Sequence, residues 1–252
     1  MITPLETPIG RLLVEAGHLA MASWRTLGLD VSDKAGRGSA PDLVSEVDLA
    51  VNTVISDGLR ALHPGLTIVS EEAEVVHGAP DDAFVLDPID GTHNYLAGSS
   101  LWTIALARTR GTEVEEAWIY HPPTGELSHA SRTETTTHAG QPVQVSAKPP
   151  NRGLVSVSLT QELLPLLMHA DHFAGIRALG SSAICLAAAA RGEFLIHAGG
   201  GKPWDVAAGF LLAEQAGGQV VDLAGNARNP FEAKKSITGA PQGIEAALAF
   251  FP

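Results

Sequence analysis

Apolar residues recur at helical spacing in two stretches near the start of the chain. The first runs from Ile9 to Leu27 and follows Thr7-Pro8, a pair typical of a helix start. The second runs from Val44 to Leu62 and ends near His63-Pro64-Gly65. Between them, residues 32–39 are small and charged. The pattern therefore predicts two amphipathic helices joined by a loop.

Short apolar runs typical of strands alternate with further helical patterns in the rest of the chain. The predicted strands cover residues 66–69, 84–86, 102–108, 117–120, 126–130, 194–197 and 219–222. The predicted helices cover residues 161–169, 182–191 and 205–216. A Pro-Pro-Thr-Gly segment at 122–125 predicts a hairpin turn. This mixture predicts a layered α/β (α+β) sandwich.

A Pro-rich polar segment at residues 148–151 interrupts the pattern and is the predicted boundary between two lobes. The lobes would span residues 1–147 and 148–252. A chain of 252 residues suits one large domain or two closely packed lobes.

The composition limits the cellular compartments and the binding partners that we expect for this protein. With 16 Lys+Arg against 28 Asp+Glu, the net charge of −12 argues against binding a nucleic-acid polymer, whose phosphates require cationic side chains. Cys185 is the single cysteine, so no internal disulfide can form, which suits a reducing cytosol. No signal peptide is evident, and the longest apolar run, 184–190, is too short to span a membrane. We expect a cytoplasmic protein with no membrane partner.

The most informative motif is Asp87-Pro88-Ile89-Asp90-Gly91-Thr92, directly after an apolar strand. Two carboxylates three residues apart can converge on one hard cation such as Mg²⁺, and amides of the following turn can face a phosphate. Because Asp, Pro and Gly all favour turns, an ordinary surface turn is an equal alternative for this motif taken alone.

Three other acidic positions each have a simple structural explanation when considered alone. Glu71-Glu72 follows a strand and is typical of a solvated loop. Asp205, after Trp204, is suited to be the N-cap of a helix. Asp48 lies off the apolar stripe of its helix, as an exposed polar residue would.

Other known catalytic motifs do not match this chain, because their residue types or spacings differ. The interval Asp87-x-x-Asp90 differs from the Asp-x-Asp of haloacid-dehalogenase phosphatases, and Gly199-Gly200-Gly201-Lys202 is followed by Pro203 where a P-loop needs Ser or Thr. The chain has no Gly-x-Ser-x-Gly elbow and no His-Glu-x-x-His zinc helix. Three of its ten histidines, His121, His129 and His138, are expected on strands or turns and not as metal ligands.

Taken in order, the acidic elements resemble the inositol monophosphatase family. They are Asp42-x-x-Ser45-x-x-Asp48, Ser70-Glu71-Glu72, Asp87-x-x-Asp90-Gly91-Thr92 and Trp204-Asp205-x-Ala207-Ala208-Gly209. The resemblance covers about residues 5–240 and implies the layered α-β-α-β-α sandwich of inositol monophosphatases and fructose-bisphosphatases. It also implies a phosphate monoester hydrolase with two or three Mg²⁺ ions, lithium sensitivity and a homodimer.

The resemblance also implies a role for each matching residue. Glu71, Asp87 and the carbonyl of Ile89 would hold one Mg²⁺, while Asp87, Asp90 and Asp205 would hold a second and Glu71 would contribute to a third. Thr92, hydrogen-bonded to Asp48, would activate the attacking water. The amides of Gly91 and Thr92 would bind the phosphate, and Gly180, Ser181 and Ser182 would line the alcohol side of the substrate.

Two positions bear on specificity. Ala198 stands where inositol phosphatases tend to carry a glutamate for the inositol hydroxyls, and Arg37 stands where relatives have a basic residue on a mobile loop. For Arg37, an ordinary exposed side chain is an equal alternative. Inositol 1-phosphate or a related polyol phosphate is the expected substrate. Histidinol phosphate, 3′-phosphonucleotides or sugar phosphates remain alternatives, as does a regulatory relative that binds metal and phosphate without fast turnover.

Overall fold

The computed structural model describes residues 3–26, 31–33, 43–73 and 79–251. Its helices are α1 Pro8–Ser23, α2 Glu46–Leu62, α3 Thr92–Leu96, α4 Leu164–Met168, α5 Ser182–Ala190, α6 Pro203–Gln215 and α7 Pro241–Leu248. Its strands are β1 Val31–Asp33, β2 Leu43–Ser45, β3 Thr67–Ser70, β4 Ala83–Asp90, β5 Thr103–Arg110, β6 Glu113–His121, β7 Glu126–Ser131, β8 Glu134–His138, β9 Gln141–Pro142, β10 Leu154–Val157, β11 Gly175–Arg177, β12 Phe194–Gly199, β13 Gln219–Val221 and β14 Ser236–Gly239.

A seven-stranded sheet occupies the first half of the chain, in the order β3-β4-β5-β6-β7-β8-β9. β3 and β4 are parallel, and every later neighbour is antiparallel. The hairpin predicted at residues 122–125 joins β6 to β7. In β4, Phe84 and Leu86 face one side of the sheet and Val85 the other, as strand geometry requires.

A five-stranded sheet occupies the second half, in the order β11-β10-β12-β14-β13. β10 pairs in parallel with β11 and β12, whereas β14 is antiparallel to β12 and β13. The boundary predicted at residues 148–151 lies between the last strand of the large sheet and the first strand of the small one. The division into two lobes stays a prediction.

The two sheets and the helices form five layers. α1 and α2 pack on one face of the large sheet through residues such as Leu13, Val51 and Phe84. α5 and α6 pack on its other face, where Ala187 and Leu211 meet small strand residues. Beyond them, α5 also contacts β12 of the small sheet, and α4 and α7 cover that sheet's far face. The α-β-α-β-α sandwich predicted from the sequence is confirmed.

Several element boundaries differ from the prediction. α1 ends at Ser23, and Arg25 has a positive φ of 65°, so the helix is shorter than the predicted stretch. β4 continues through Asp90, whereas the predicted strand ended at residue 86 and a surface turn over the motif was an equal alternative. The helix α7 and seven of the described strands were not predicted: β1, β2, β8, β9, β10, β11 and β14. Among the described helices, none combines the length and apolar composition needed to cross a bilayer.

Candidate active site

β4 carries two aspartates at the end of the large sheet. Asp87 and Asp90 are buried, and Asp87 Oδ1 accepts a hydrogen bond from the backbone N–H of Ile89 at 3.1 Å. The pairing of β4 with β5 is irregular between Asp87 and Asp90. Gly91 then adopts a left-handed conformation, φ 96°, and a side chain there would also crowd the carbonyl of Leu101 at 2.9 Å. The glycine thus permits the sharp turn from β4 into α3.

Thr92, the first residue of α3, joins this turn to helix α2. Its Oγ1 lies 3.1 Å from both Asp48 Oδ1 and the carbonyl oxygen of Ile89. Asp48 is fully buried, and its Oδ2 accepts hydrogen bonds from the hydroxyl and the backbone N–H of Ser45, the cap of α2. Burial raises the pKa of Asp48, while its hydrogen bonds with Ser45 and Thr92 oppose that rise. The helix pattern predicted an exposed side chain for Asp48. That prediction is wrong, because the side chain of Asp48 is buried and points toward Thr92.

Asp90 is held by the start of α5. It accepts hydrogen bonds from the Ser181 hydroxyl, from the N–H of Ser182 at 3.3 Å and from the N–H of Ala183 at 2.9 Å. Gly180, before them, has a φ of 74°. The segment 180–182 therefore fixes the carboxylate of Asp90 and lies beside it.

Asp205 enters from the first turn of α6. Its Oδ2 accepts a hydrogen bond at 2.7 Å from the backbone N–H of Lys202, which is the N-cap residue. Asp205 therefore stabilises the helix start from the third helical position and is not itself the N-cap. The same side chain approaches Asp87 and Asp90: one carboxylate oxygen from each of the three lies within 4.8 Å of the others. Capping and clustering are thus compatible functions of one carboxylate.

The cluster is electrostatically costly when its carboxylates are ionised. Burial raises the pKa of Asp90 to about 6 and that of Asp205 to about 7. The pKa of Asp87 lies well above its ordinary value, because of burial first and then the charges of Glu71, Asp90 and Asp205. Three clustered oxygen donors whose charges repel one another match the ligands that Mg²⁺ prefers. The residues present therefore fit a divalent cation.

The remaining predicted site residues lie at various distances from this cluster. Glu71, in the turn after β3, is close enough for its charge to raise the pKa of both Asp87 and Asp205. Ile89 directs its side chain into the apolar core and its carbonyl toward Thr92. Arg37 and Asp42 lie outside the described residues.

Ala198 does not have the environment expected of a substrate contact. It has no exposed surface and belongs to the apolar cluster on the α4/α7 side of the small sheet, with Val157 and Ile237. A methyl group there fills the core and offers no polar atom to a ligand.

His197, the preceding residue on β12, was not singled out from the sequence. Together with Asp90, Asp205 and Ser181 it lines a cavity of about 440 Å³. Its Nδ1 lies 3.0 Å from the hydroxyl of Ser156, and burial lowers its pKa to about 4, so the ring is neutral. No sequence motif marks His197, because the residues around it, Ser156, Asp90 and Ser181, are distant in the chain. His121, His129 and His138 lie on β6, β7 and β8, as expected.

The fold and the cluster together define the class: a layered α/β protein whose grouped carboxylates can hold a divalent cation. The sequence profile of the inositol monophosphatase family matches residues 4–249. The chain belongs to the inositol monophosphatase family.

Individual proteins and solved structures are also similar to this chain over most of its length. A Thermotoga maritima protein named fructose-1,6-bisphosphatase/inositol-1-monophosphatase is 30% identical over 228 residues, which covers 88% of this chain and 86% of that one. The Nus factor SuhB of Escherichia coli K12 is 30% identical over 249 residues, covering 93% and 91%. The crystal structure of an IMPase/NADP phosphatase complexed with Mg²⁺ and phosphate shares the fold, with a TM-score of 0.86, 22% identity and coverage of 96% and 92%.

Proposed function

We propose that this chain is a Mg²⁺-dependent phosphate monoester hydrolase. The observation that carries the proposal is the group of three carboxylates within 4.8 Å of one another, next to a threonine hydrogen-bonded to a buried aspartate. Membership of the inositol monophosphatase family supports phosphatase activity. A metal-dependent hydrolase needs no nucleophilic serine or cysteine, consistent with the buried Cys185, whose pKa is raised to about 12 by burial.

The acidic residues would provide the ligands of two or three Mg²⁺ ions. Asp87, Glu71 and the Ile89 carbonyl would hold one Mg²⁺, Asp87, Asp90 and Asp205 a second, and Glu71 would contribute to a third. Bound cations would neutralise the ester and make water a stronger nucleophile at neutral pH.

Thr92 and Asp48 would orient the attacking water. When the Thr92 hydroxyl donates its single proton to Asp48 Oδ1, the lone pairs of Oγ1 remain available to accept a hydrogen bond from water. Asp48 is itself held by Ser45, so the hydroxyl has a fixed direction. The amides of Gly91 and Thr92 would bind the phosphate, and Gly180, Ser181 and Ser182 would contact the alcohol.

Inositol 1-phosphate or a related polyol phosphate is the substrate we propose first. The Thermotoga maritima relative is named for both inositol monophosphate and fructose bisphosphate hydrolysis, which supports small polyol and sugar esters. Histidinol phosphate and 3′-phosphonucleotides are the alternatives within the family. A cytoplasmic homodimer that lithium inhibits is the expected form of the enzyme.

Exchange of Asp90 for asparagine tests the metal site. Asp90→Asn should lower kcat for phosphate release by at least about a hundredfold, because a carboxylate ligand of the cluster becomes a neutral amide. The measurement is phosphate release with Mg²⁺ on a panel containing inositol 1-phosphate, histidinol phosphate and sugar phosphates. Asp57→Asn, in an exposed pair with Arg60 on α2, is the matched control and should retain wild-type kcat. Near-normal turnover by Asp90→Asn, with its fold intact by circular dichroism, would exclude the proposed use of the cluster.

A second function is favoured by one comparison, since the Escherichia coli relative is named a Nus factor. In that case the chain would bind metal and phosphate as a regulatory protein. Absence of turnover on the whole panel, together with Mg²⁺ binding by calorimetry, would support this second function over the first.

A further inference from the structure

A cavity of about 300 Å³ lies beside α6 and shares no lining residue with the 440 Å³ cavity that contains Asp90 and His197. Its walls come from α6, the hairpin between β5 and β6, the turn between β7 and β8, and the segment after β13. Its apolar surface is supplied by Val114, Phe210, Leu211, Ala227 and Pro230. The volume is at the lower end of the range of pockets that bind small molecules. A ligand in this cavity would therefore be distinct from a substrate at the acidic cluster.

Arg228 is the buried basic residue of this cavity, with only 5% of its surface exposed. Its Cζ atom lies 5.1 Å from the centre of the Phe210 ring, and its Nη2 donates a hydrogen bond to the carbonyl oxygen of Glu232 at 2.7 Å. Both Phe210 and Glu232 line the cavity. The guanidinium held between them therefore lies at the cavity wall.

The remaining nitrogens of this guanidinium are unsatisfied. Nε and Nη1 of Arg228 are buried and have no hydrogen-bond partner among the described residues, and within that part of the chain Arg228 forms no ion pair. Burial lowers the pKa of Arg228, and the charges of Glu232 and Asp222 oppose that change, but a guanidinium stays protonated in a protein. A buried cation without a counter-charge is costly, so an anion bound beside Arg228 would relieve a cost that the ligand-free fold carries.

The acidic residues of the cavity do not supply that counter-charge. Glu214 pairs with Arg132 at 2.9 Å, and Glu232 pairs with Lys234 at 3.5 Å. Glu113, on the hairpin between β5 and β6, is exposed, so water screens its charge. One buried positive charge is therefore left for a ligand.

Arg132 supplies a second guanidinium at the same cavity, nearer the surface. Its Nε donates a hydrogen bond to the carbonyl oxygen of Val114 at 2.7 Å, and its Nη1 donates one to Glu214 at 2.9 Å. The side chain is 44% exposed. An anion entering the cavity thus passes a fixed, partly exposed guanidinium before it reaches the buried one.

We propose that Arg228 binds the carboxylate of a small molecule whose apolar part packs against Phe210 and its apolar neighbours in this cavity. A carboxylate carries the single negative charge that the buried guanidinium lacks, and its planar shape matches the donors of arginine. The ligand class is a small monocarboxylic acid with an apolar body. This site does not depend on the proposed phosphatase function.

Sodium benzoate is the probe, and benzyl alcohol is the neutral molecule of nearly the same size. The wild-type protein is studied in EDTA, because the metal-free acidic cluster repels anions and does not bind benzoate. At a concentration tenfold above its Kd, benzoate should raise Tm by roughly 3–6 °C over NaCl of equal ionic strength. Benzyl alcohol should produce no increase, since it brings no charge to Arg228. Equal effects of the two compounds would overturn the inference.

Arg228→Met removes the guanidinium and keeps a side chain of similar length. The benzoate-dependent increase in Tm should disappear, while the Tm of the ligand-free variant should be at least that of the wild type, because the unpaired buried charge is gone. Arg152→Met changes an exposed arginine outside the cavity and should keep the full increase. A full benzoate-dependent increase in Arg228→Met would exclude Arg228 as the binding residue.

Ala227→Phe tests the location without changing Arg228, so the inference stays testable if Arg228→Met does not fold. Ala227 is exposed and lines the cavity, and a phenyl ring there would occupy space that the ligand needs. This variant should weaken the binding of benzoate at least several-fold, as measured by the concentration dependence of Tm. Ala224→Phe, on the same segment but outside the cavity, is the matched control and should bind benzoate like the wild type. Unchanged affinity in Ala227→Phe would place benzoate elsewhere and contradict the proposed site.

Discussion

Individual polar residues at the site are held in place by partners distant in the sequence. Asp48 is buried because Ser45 and Thr92 satisfy its oxygens, and Asp90 because the first turn of α5 donates to it. A buried carboxylate needs such donors, since burial otherwise favours its neutral form. The raised pKa values of Asp90 and Asp205, about 6 and about 7, show that these donors do not cancel the cost of burial in the metal-free protein.

Because it remains costly to bury Asp90 and Asp205 in their ionised forms, we expect the stability of the metal-free protein to depend on pH. Both pKa values lie above the value of about 3.9 of an unfolded chain, so these groups contribute stability that is full below about pH 4 and is lost as the pH rises through 6 and 7. Asp90→Asn removes one of these titrations, together with a charge that raises the pKa of both Asp87 and Asp205. In EDTA, the Tm of Asp90→Asn minus that of the wild type should therefore increase by a few degrees between pH 5 and pH 8.

Thermal unfolding followed by circular dichroism at each pH measures this difference. Subtracting the wild type cancels the titration of groups whose pKa Asp90 does not affect, such as His197, whose lowered pKa has the opposite effect on stability at acid pH. The titrations of Asp87 and Asp205 do not cancel, because the loss of the Asp90 charge lowers both pKa values and adds to the expected increase. Asp57→Asn removes an exposed carboxylate on α2 and should give a difference that does not change with pH. A constant difference for Asp90→Asn as well would contradict the pKa assignment.

Secondary-structure elements pack closely where small residues meet. The helices α5 and α6 carry alanines toward the large sheet, among them Ala187 and Ala208, opposite Ala105 and Ala107 of β5. This allows both helices to approach the sheet and each other. Their first turns then place the donors to Asp90 and the carboxylate of Asp205 at the same end of β4.

Gly209 tests the contact between α5 and α6. A Cβ there would overlap Cβ of Leu186 on α5, so Gly209→Ala should lower the free energy of unfolding by about 1–3 kcal/mol, despite alanine's better helix propensity. In a chain of this size that corresponds to a fall in Tm of roughly 2–4 °C per kcal/mol. Denaturant unfolding with linear extrapolation measures the change.

Gly58 on α2 provides the comparison, because a Cβ there would meet only the end of the Leu12 side chain, at 2.5–3.1 Å, and that side chain can shift. Gly58→Ala should therefore be less destabilising than Gly209→Ala. If Gly58→Ala were the more destabilising variant, the contact between Gly209 on α6 and Leu186 on α5 would be less tightly packed than the distance indicates.

Across the whole molecule, the ligands of the proposed metal site come from both halves of the chain. Asp87 and Asp90 lie on β4 of the large sheet, and Asp205 lies in the first turn of α6, the helix that follows β12 of the small sheet. A cation held by all three would link segments that unfolding separates.

Mg²⁺ should therefore stabilise the whole protein. At a concentration a hundredfold above its Kd, binding contributes about 2.7 kcal/mol and should raise Tm by roughly 5–10 °C over the protein in EDTA. Differential scanning calorimetry measures the shift, and NaCl at equal ionic strength should produce much less. Asp90→Asn should lose most of the Mg²⁺-dependent increase. A full increase in that variant would contradict a site built on Asp90.

The sequence by itself determined the layered fold, most of the described helices, half of the described strands and the acidic positions, because these depend on local periodicity and on short motifs. The Asp87–Thr92 motif located the end of β4, and the order of the acidic elements indicated the family. Local pattern could not reveal β10 and β14, since short buried strands resemble other apolar runs.

Only the tertiary structure decided which polar groups meet. Asp48 is buried against Thr92, Ala198 faces the core, and His197 faces a cavity, although no local rule distinguishes these outcomes. The cavity lined by Lys202, Lys234 and Lys235 likewise depends on the close approach of Gly200 to Lys235, two residues that are far apart in the chain. Side-chain direction within a strand and contacts between distant segments are set by packing of the whole chain, because only the folded core fixes which face each residue occupies.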